Sequence, residues 1–266
     1  MLPLFSKTVP TTADQLSRAL SEGFRRLGIQ PSSIKAEGGI WPQIESVVID
    51  LSGATATRTT KLPEVGESLP DTVSLAHTRI LGDPVRIESV PVHFDAKVQN
   101  ATAGFSRSGN DSLILTLERA ESGTLEMKVA RTELEKGLHQ AAIEAAAGHG
   151  VDIKSTELEW ESLDPRSFTF RLSVRAKAFI MSTTVKVRGR VEIDDTLAVR
   201  VSELRVEGEG VLAGMVEGFV KPHLAKIEGN PFALGSPVAG GLRVRDLSVA
   251  CGETLLVQAT FSAAAV

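Results

Sequence analysis

Cysteine and aromatic residues are scarce in this chain of 266 residues, which has one cysteine, Cys251, and no tyrosine. One cysteine excludes a disulfide framework and a cysteine-built metal site within a single chain. Aromatic residues make up only 5% of the chain, which argues against a surface that stacks nucleic-acid bases. Hydrophobic residues still account for 42%, so the interior must be mainly aliphatic.

A large excess of charge of either sign is also missing. The 29 Lys and Arg residues face 33 Asp and Glu residues, for a net charge of -4. A general nucleic-acid-binding protein would be strongly basic, so we expect no nucleic acid among the partners. A local basic patch is compatible with this balance.

Long hydrophobic runs are absent as well. No stretch approaches the roughly 18 apolar residues of a membrane span. The first ten residues lack the apolar core of about 7–15 residues that marks a signal peptide. We therefore expect a cytoplasmic or peripheral membrane location, or an exported one if a leader has been removed.

No arrangement of residues indicates a catalytic centre. Residues 208–213 match the dinucleotide pattern G-x-G-x-x-A, but the surrounding strands are predicted to be antiparallel hairpins rather than a βαβ unit. Ser106 does not lie in a G-x-S-x-G elbow, and the pair Asp194 and Asp195 fits a hairpin turn. Metal-ligand spacing is absent among the five histidines, which are His77, His93, His139, His149 and His223. We expect a protein that is not an enzyme and has no cofactor or metal.

Apolar residues at helical spacing predict three amphipathic helices. The first covers about residues 12–27, with a threonine cap at Thr11 or Thr12 and Gly28 at its end. The second begins near Thr132, and Gly148 and Gly150 stop it. The third covers about residues 211–227 and has the widest apolar face.

Alternation of apolar and polar residues predicts long strands with one face on a core. The longest cover residues 168–178 and 185–193, and a turn is expected at residues 182–184. The alternation changes phase near Ser202, which indicates a β-bulge. Further strands are predicted at residues 44–51, 74–81 and 85–94. Hairpin connections are expected at residues 120–123 and 252–254.

An internal helix–strand–strand repeat is also predicted. In both copies an apolar helix precedes an Ile-Lys pair, and a tryptophan follows the isoleucine by seven residues. The two tryptophans, Trp41 and Trp160, would then occupy equivalent positions. We expect one domain, residues 1–266, made of two related halves at about 11–130 and 131–266.

Basic residues line the polar side of the two longest strands. They are Arg171, Arg175, Lys177, Lys186, Arg188 and Arg190. This face would attract an anionic membrane surface by peripheral contact. Alternatively, Glu157, Glu159 and Glu161 on the preceding strand would pair with it as an ordinary salt ladder, which is the interpretation we favour.

Several segments together resemble a known family. They are Leu16-x-x-Ala19-Leu20, the segment from Gly38-Gly39-Ile40-Trp41 to Leu51, the Thr132-Glu133-Leu134 helix, and a C-terminal run from Gly214-Met215-Val216 through Gly229-Asn230-Pro231-Phe232 to Leu242–Val249. Their pattern of apolar positions resembles the LmeA-like phospholipid-binding family of bacterial proteins. That family is related in architecture to the tubular lipid-binding (TULIP) proteins.

This resemblance implies an α+β fold with a long, curved antiparallel sheet wrapped against three amphipathic helices. It also implies non-catalytic binding or transfer of lipid in an apolar groove between helices and sheet. The residues expected to line the groove are Leu16, Leu20, Phe24, Leu134, Leu138, Leu212, Met215, Val216, Phe219, Val220, Leu224 and Ile227. The alternative is a structural or protein-interaction module in which the helices pack as ordinary core and no ligand binds.

Overall fold

The computed structural model describes residues 1–57, 65–108, 112–148, 150–178, 181–209, 228, 232–233 and 242–263. These residues form two helices, α1 (Ala13–Arg26) and α2 (Arg131–Ala146). They also form fifteen strands: β1 (Leu2–Pro3), β2 (Ser33–Glu37), β3 (Gln43–Asp50), β4 (Thr55–Ala56), β5 (Ser68–Ile87), β6 (Val90–Arg107), β7 (Leu113–Arg119), β8 (Ser122–Ala130), β9 (Val151–Asp164), β10 (Ser167–Ala178), β11 (Met181–Ile193), β12 (Ala198–Glu209), β13 (Phe232–Ala233), β14 (Leu242–Cys251) and β15 (Thr254–Ala263). Neither described helix is long and apolar enough to cross a membrane.

The chain divides into two compact units. The first contains Met1–Met127, Gly235–Asp246 and Gln258–Val266, and the second contains Lys128–Leu234 and Leu247–Val257. The predicted division into related halves at residues 11–130 and 131–266 stays a prediction, since a compact unit is not by itself evidence of a repeat.

The larger sheet is mixed. Ten strands form it, with β14, β15, β8, β6, β5, β3 and β2 in order across it, while β1, β4 and β7 pair off this path. Strands β5 and β6 form a long antiparallel hairpin, but β3 and β4 both pair with β5 in parallel.

Helix α1 closes the core of the first unit. The Thr12 side chain accepts a hydrogen bond from the Gln15 N–H at 3.2 Å and so caps the helix as predicted. Leu16 and Leu20 are 0% exposed and Phe24 is 6% exposed, because they pack among the aliphatic side chains of β3, β5 and β7. The apolar stripe of α1 is therefore ordinary core.

The smaller sheet, in the second unit, has five antiparallel strands in the order β13, β12, β11, β10, β9. The period-two pattern of β10 and β11 produces it, because alternate residues point to opposite faces. A register shift between Arg188 and Arg190 marks a bulge on β12, where Glu203 has a positive φ of 55°. The bulge predicted near Ser202 is therefore confirmed.

Helix α2 lies along β9, the outermost strand of this sheet. The Glu135 carboxylate accepts a hydrogen bond of 2.9 Å from the Leu158 N–H, and the His139 ring bonds the Thr156 hydroxyl at 3.1 Å. In the first unit Ser17 does the same for the edge strand β2, where its hydroxyl accepts a bond of 2.8 Å from the Ala36 N–H. Each helix thus satisfies an outward-facing amide of an edge strand.

The expected α+β fold class is wrong. The described residues are mostly β, with two helices and two large sheets, and the larger sheet contains parallel pairs where an antiparallel sheet was predicted. The parallel pairing escapes a sequence pattern, because a strand's alternation says nothing about the direction of its neighbour. The predicted third helix, residues 211–227, lies outside the described residues. Helix α2 buries no side chain fully, unlike α1.

One predicted strand and two predicted connections are also wrong. The strand expected at residues 85–94 contains the real turn of the β5–β6 hairpin, at Glu88 and Ser89. The turn expected at residues 182–184 lies inside β11, because Ala178 already pairs with Met181. The hairpin expected at residues 120–123 joins β7 and β8, which both pair with β6 instead of with each other. The turn at residues 252–254 is confirmed between β14 and β15.

The two tryptophans do not occupy equivalent positions. Trp160 lies within β9, and its indole N–H donates to the Gly252 carbonyl at 2.6 Å. Trp41 lies in the turn between β2 and β3, since Gly38 and Gly39 adopt positive φ and end the strand before it. The helix-then-strand order occurs in both units, but the predicted tryptophan correspondence is wrong.

Candidate functional site

The predicted groove residues fall into three groups. Leu16, Leu20 and Phe24 contact the core of the first unit. Leu134 and Leu138 are half-buried on α2, against β9. The other seven lie outside the described residues: Leu212, Met215, Val216, Phe219, Val220, Leu224 and Ile227. Structure therefore places the described candidates in two separate surroundings, and the prediction of a shared groove stays a prediction.

The five-stranded sheet has one aliphatic face. Directly opposed residues on neighbouring strands share a face, so the register assembles a row across four strands: Leu158, Leu172, Val187 and Val206. A parallel row on the same face contains Ser162, Phe168, Val191 and Val201. Gly189 leaves room there for a ring, since a Cβ built on it would lie 2.8 Å from Phe170 and from Leu204.

This aliphatic face is incompletely covered. On β9 and β11, Leu158, Val185 and Val187 of this face are buried, whereas Trp160 and Val191 are half-buried. Those on β10 remain partly exposed, namely Phe168, Phe170, Leu172 and Val174. Among the described elements, α2 is the helix that packs on this sheet, and it packs on β9. Within the described part of the chain, the apolar side chains in the middle of this sheet are therefore more exposed than those of the core around α1.

The opposite face of the same sheet carries charge. The row next to the central aliphatic one contains Glu159, Arg171, Arg188 and Arg205, each directly opposite the next. Three arginines thus stand side by side on β10, β11 and β12. Like charges directly opposite on neighbouring strands destabilise a sheet, so this row needs compensation from other groups.

Carboxylates compensate part of this row. Arg171 donates to Glu159 at 3.1 Å, and Arg188 forms an ion pair with Glu207 at 3.4 Å. Arg190, in the adjacent row, pairs with Glu192 at 2.7 Å. The salt ladder favoured from the sequence is therefore present only in part, since Glu159 pairs with Arg171 whereas Glu157 and Glu161 form no ion pair within the described part of the chain. Arg205 forms no ion pair or hydrogen bond with the part of the chain that the structure describes.

A hollow of about 620 Å³ lies over the charged row. Its lining includes Glu159, Glu161, Arg171, Arg188, Glu203 and Arg205. A volume of this size accommodates a small molecule. Three guanidinium groups and three carboxylates give the hollow both kinds of charge, and Trp160, Phe170 and Gly189 also line it, so it suits a small charged ligand.

Catalytic and metal chemistry find no support among the described residues. No three His, Cys, Asp or Glu side chains in the described ranges lie close enough together to hold a metal ion. Burial raises the pKa of Cys251 to about 11, so its thiol is a poor nucleophile. His93 and Asp83 form an exposed pair on the β5–β6 hairpin of the first unit, and the nearby Ser52 hydroxyl accepts a hydrogen bond of 2.9 Å from the backbone N–H of Asp83.

The Asp194-Asp195 pair is explained by turn chemistry, as predicted. Asp194 accepts hydrogen bonds from the Thr196 hydroxyl and from the Ala198 N–H, and it pairs with Arg200. These bonds lower the pKa of Asp194 to about 2. The carboxylate therefore stays ionised and holds the β11–β12 turn, which leaves it unsuited to accept a proton in catalysis.

Comparison with known proteins adds nothing to these observations. Neither family models, curated protein sequences nor solved structures gave a match to this chain. The function must therefore be argued from the two faces of the five-stranded sheet.

Arg205 and Glu203 are absent from the basic face predicted from the sequence. Arg188 and Arg205 become neighbours only through the register of β11 on β12, which the bulge shifts. The available signal was the phase change near Ser202, which moves Arg205 onto the charged face. Combining that change with the hairpin between residues 193 and 198 would have aligned the two arginines.

Proposed function

We propose that this protein binds lipid without turning it over, and that the acyl chain lies on the aliphatic face of the five-stranded sheet. The observation that carries the proposal is the partly exposed apolar row on β10. Phe168, Phe170, Leu172 and Val174 lie on the side of the sheet that a core would be expected to cover. The resemblance to the LmeA-like family, which rests on apolar positions alone, points the same way.

The energetics support an acyl ligand. Each methylene removed from water contributes about 0.8 kcal/mol, so a chain of sixteen carbons offers roughly 12 kcal/mol before ordering costs. No directional contact is needed for this contribution. An aliphatic face with few polar atoms is therefore sufficient to bind an acyl chain, and selectivity among lipids would have to come from elsewhere.

Lipid uptake tests the proposal directly. Purified protein is analysed by native mass spectrometry for co-purified lipid and titrated with a fluorescent fatty-acyl probe. Leu172→Gln places an amide in the centre of the aliphatic face and is expected to weaken probe binding at least tenfold. Leu163→Gln is the matched control, because Leu163 is a 48% exposed leucine near the end of β9, at a register shift where no residue of β10 lies directly opposite it.

Folding is monitored in parallel by circular dichroism. A folded wild-type protein that carries no lipid and takes up no probe would overturn the proposal. Equal binding by Leu172→Gln and wild type would show that the acyl chain lies elsewhere.

The alternative, a structural or interaction module with ordinary helix packing, is favoured by one observation in the first unit. Leu16, Leu20 and Phe24 on α1 are fully packed against protein and leave no space for a ligand. Under this alternative, Leu172→Gln would lower stability or change the oligomeric state, as seen by size-exclusion chromatography with light scattering, without any ligand being involved.

A further inference from the structure

The charged face of the five-stranded sheet is unusual for a salt ladder. In a ladder, charges of opposite sign alternate across the strands, whereas here Arg171, Arg188 and Arg205 are consecutive. Neighbouring strands lie about 4.8 Å apart, so these side chains begin close together. Such a row repels itself unless an anion lies among the guanidinium groups.

Compensation is weakest at the β11–β12 end of the row. Glu159 accepts a hydrogen bond from Arg171 at the β10 end of the row. Glu207 lies 3.4 Å from Arg188, and the side chains of Arg188 and Glu207 are each about half exposed. Arg205 is exposed and has no partner among the described residues. One guanidinium group and part of a second are thus available to a ligand, and two arginines are well suited to a phosphate group because each donates in a planar fork.

Acidic residues restrict what the rest of the ligand can be. Glu161 and Glu203 line the same hollow and form no ion pair within the described part of the chain. They would repel a polyphosphate or a nucleic-acid backbone. They would attract an ammonium group on a ligand whose phosphate lies against Arg188 and Arg205.

We propose that this hollow binds a small zwitterion with one phosphate and one amine, with Arg188 and Arg205 on the phosphate and Glu161 and Glu203 facing the amine. The shared chemistry is that of phosphoethanolamine, either as a free metabolite or as a phospholipid headgroup. The four charged side chains of this site lie on the opposite face from the proposed acyl surface, so their binding of the zwitterion does not depend on lipid binding there.

Titration calorimetry with phosphoethanolamine tests the site, with inorganic phosphate as the comparison ligand. Phosphoethanolamine is expected to bind more tightly than inorganic phosphate. Arg205→Gln and Arg188→Gln should each weaken its binding by roughly tenfold or more, since each removes a charged donor to phosphate. Glu203→Gln should reduce the difference in affinity between phosphoethanolamine and inorganic phosphate.

Arg175→Gln is the matched control. Arg175 is exposed on the same face of β10 and makes no ion pair among the described residues, but it does not line the hollow. Its substitution should leave the affinity unchanged. Equal weakening by Arg175→Gln and Arg205→Gln, or absence of saturable binding to the folded wild type, would overturn the proposal.

The two sources are separated with vesicles. Phosphatidylethanolamine vesicles that sediment with the protein, and lose it on addition of soluble phosphoethanolamine, would assign the site to a lipid headgroup. Binding of the free compound without vesicle binding would assign it to a soluble metabolite. Both results support the site. Neither requires acyl-chain uptake, so a protein that takes up no acyl probe can still bind phosphoethanolamine, and the two proposals can fail separately.

Discussion

Replacing Gly23 with alanine should destabilise the first unit, although the same change in an exposed helix position would stabilise it. Gly23 lies in the interior of α1, where alanine is ordinarily favoured over glycine by about 1 kcal/mol. A Cβ at this position would lie 1.9 Å from the Pro3 carbonyl oxygen and 2.5 Å from its carbon. The helix and β1 therefore approach each other at a distance that only glycine allows.

The magnitude follows from what must move. Ordinary contact begins near 3.4 Å, so β1 and α1 must separate by about 1.5 Å. Overpacking of this kind costs about 1–3 kcal/mol, and loosening the bond between Leu4 N–H and the Leu113 carbonyl, 2.9 Å long, costs about 1 kcal/mol more. After subtraction of the helix-propensity gain, Gly23→Ala should lower the free energy of unfolding by about 1–3 kcal/mol.

Urea unfolding followed by circular dichroism measures this difference. Arg18 provides the reference, because it is exposed on α1 and has no described partner. There the alanine variant should be more stable than the glycine variant by about 1 kcal/mol. The order must reverse at position 23. An alanine at 23 that stabilises the protein as it does at 18 would refute the close approach of α1 and β1.

Three further predictions concern the second unit. Glu135→Ala removes the acceptor for the Leu158 N–H, so it should lower the free energy of unfolding by about 1–3 kcal/mol and speed hydrogen exchange at the Leu158 amide. Unchanged exchange at Leu158 would contradict the hydrogen bond. The pKa of Asp194 is lowered to about 2, so its contribution to stability is present above the ordinary value of 3.8 and is lost as pH falls towards 2. Asp194→Asn should therefore be less stable than wild type at neutral pH and approach it at low pH in thermal unfolding. Because the pKa of Cys251 is about 11 against an ordinary 9.0, its thiolate should be about 100-fold scarcer at pH 8 than in the urea-unfolded chain, and alkylation correspondingly slower.

Local features of the fold could be predicted from the sequence. The apolar spacing and Thr12 locate α1 within one residue at each end, and strict alternation locates β10 and most of β11. Both signals involve residues near one another in the chain. The turn at Glu88 and Ser89 was missed because β-favouring residues, among them Val85 and Val92, continue on both sides of it.

Long-range pairing could not be predicted. The parallel pairing of β3 with β5 brings Val47 opposite Thr78, and the local sequence around either residue does not identify its partner. The same reason explains the candidate site. Arg188 was recognised as basic and exposed, but its neighbour Arg205 depends on a register that one bulge on β12 determines.

The helix side chains bonded to β2 and β9 have a consequence for how this protein behaves at high concentration. An outermost strand presents unpaired amides on which a strand of another molecule can assemble. Ser17 occupies one such amide on β2, and Glu135 occupies one on β9, in each case with a helix lying alongside. A molecule with either helix detached would offer a template for intermolecular sheet growth. The two helices therefore protect the edge strands from aggregation in addition to stabilising the fold.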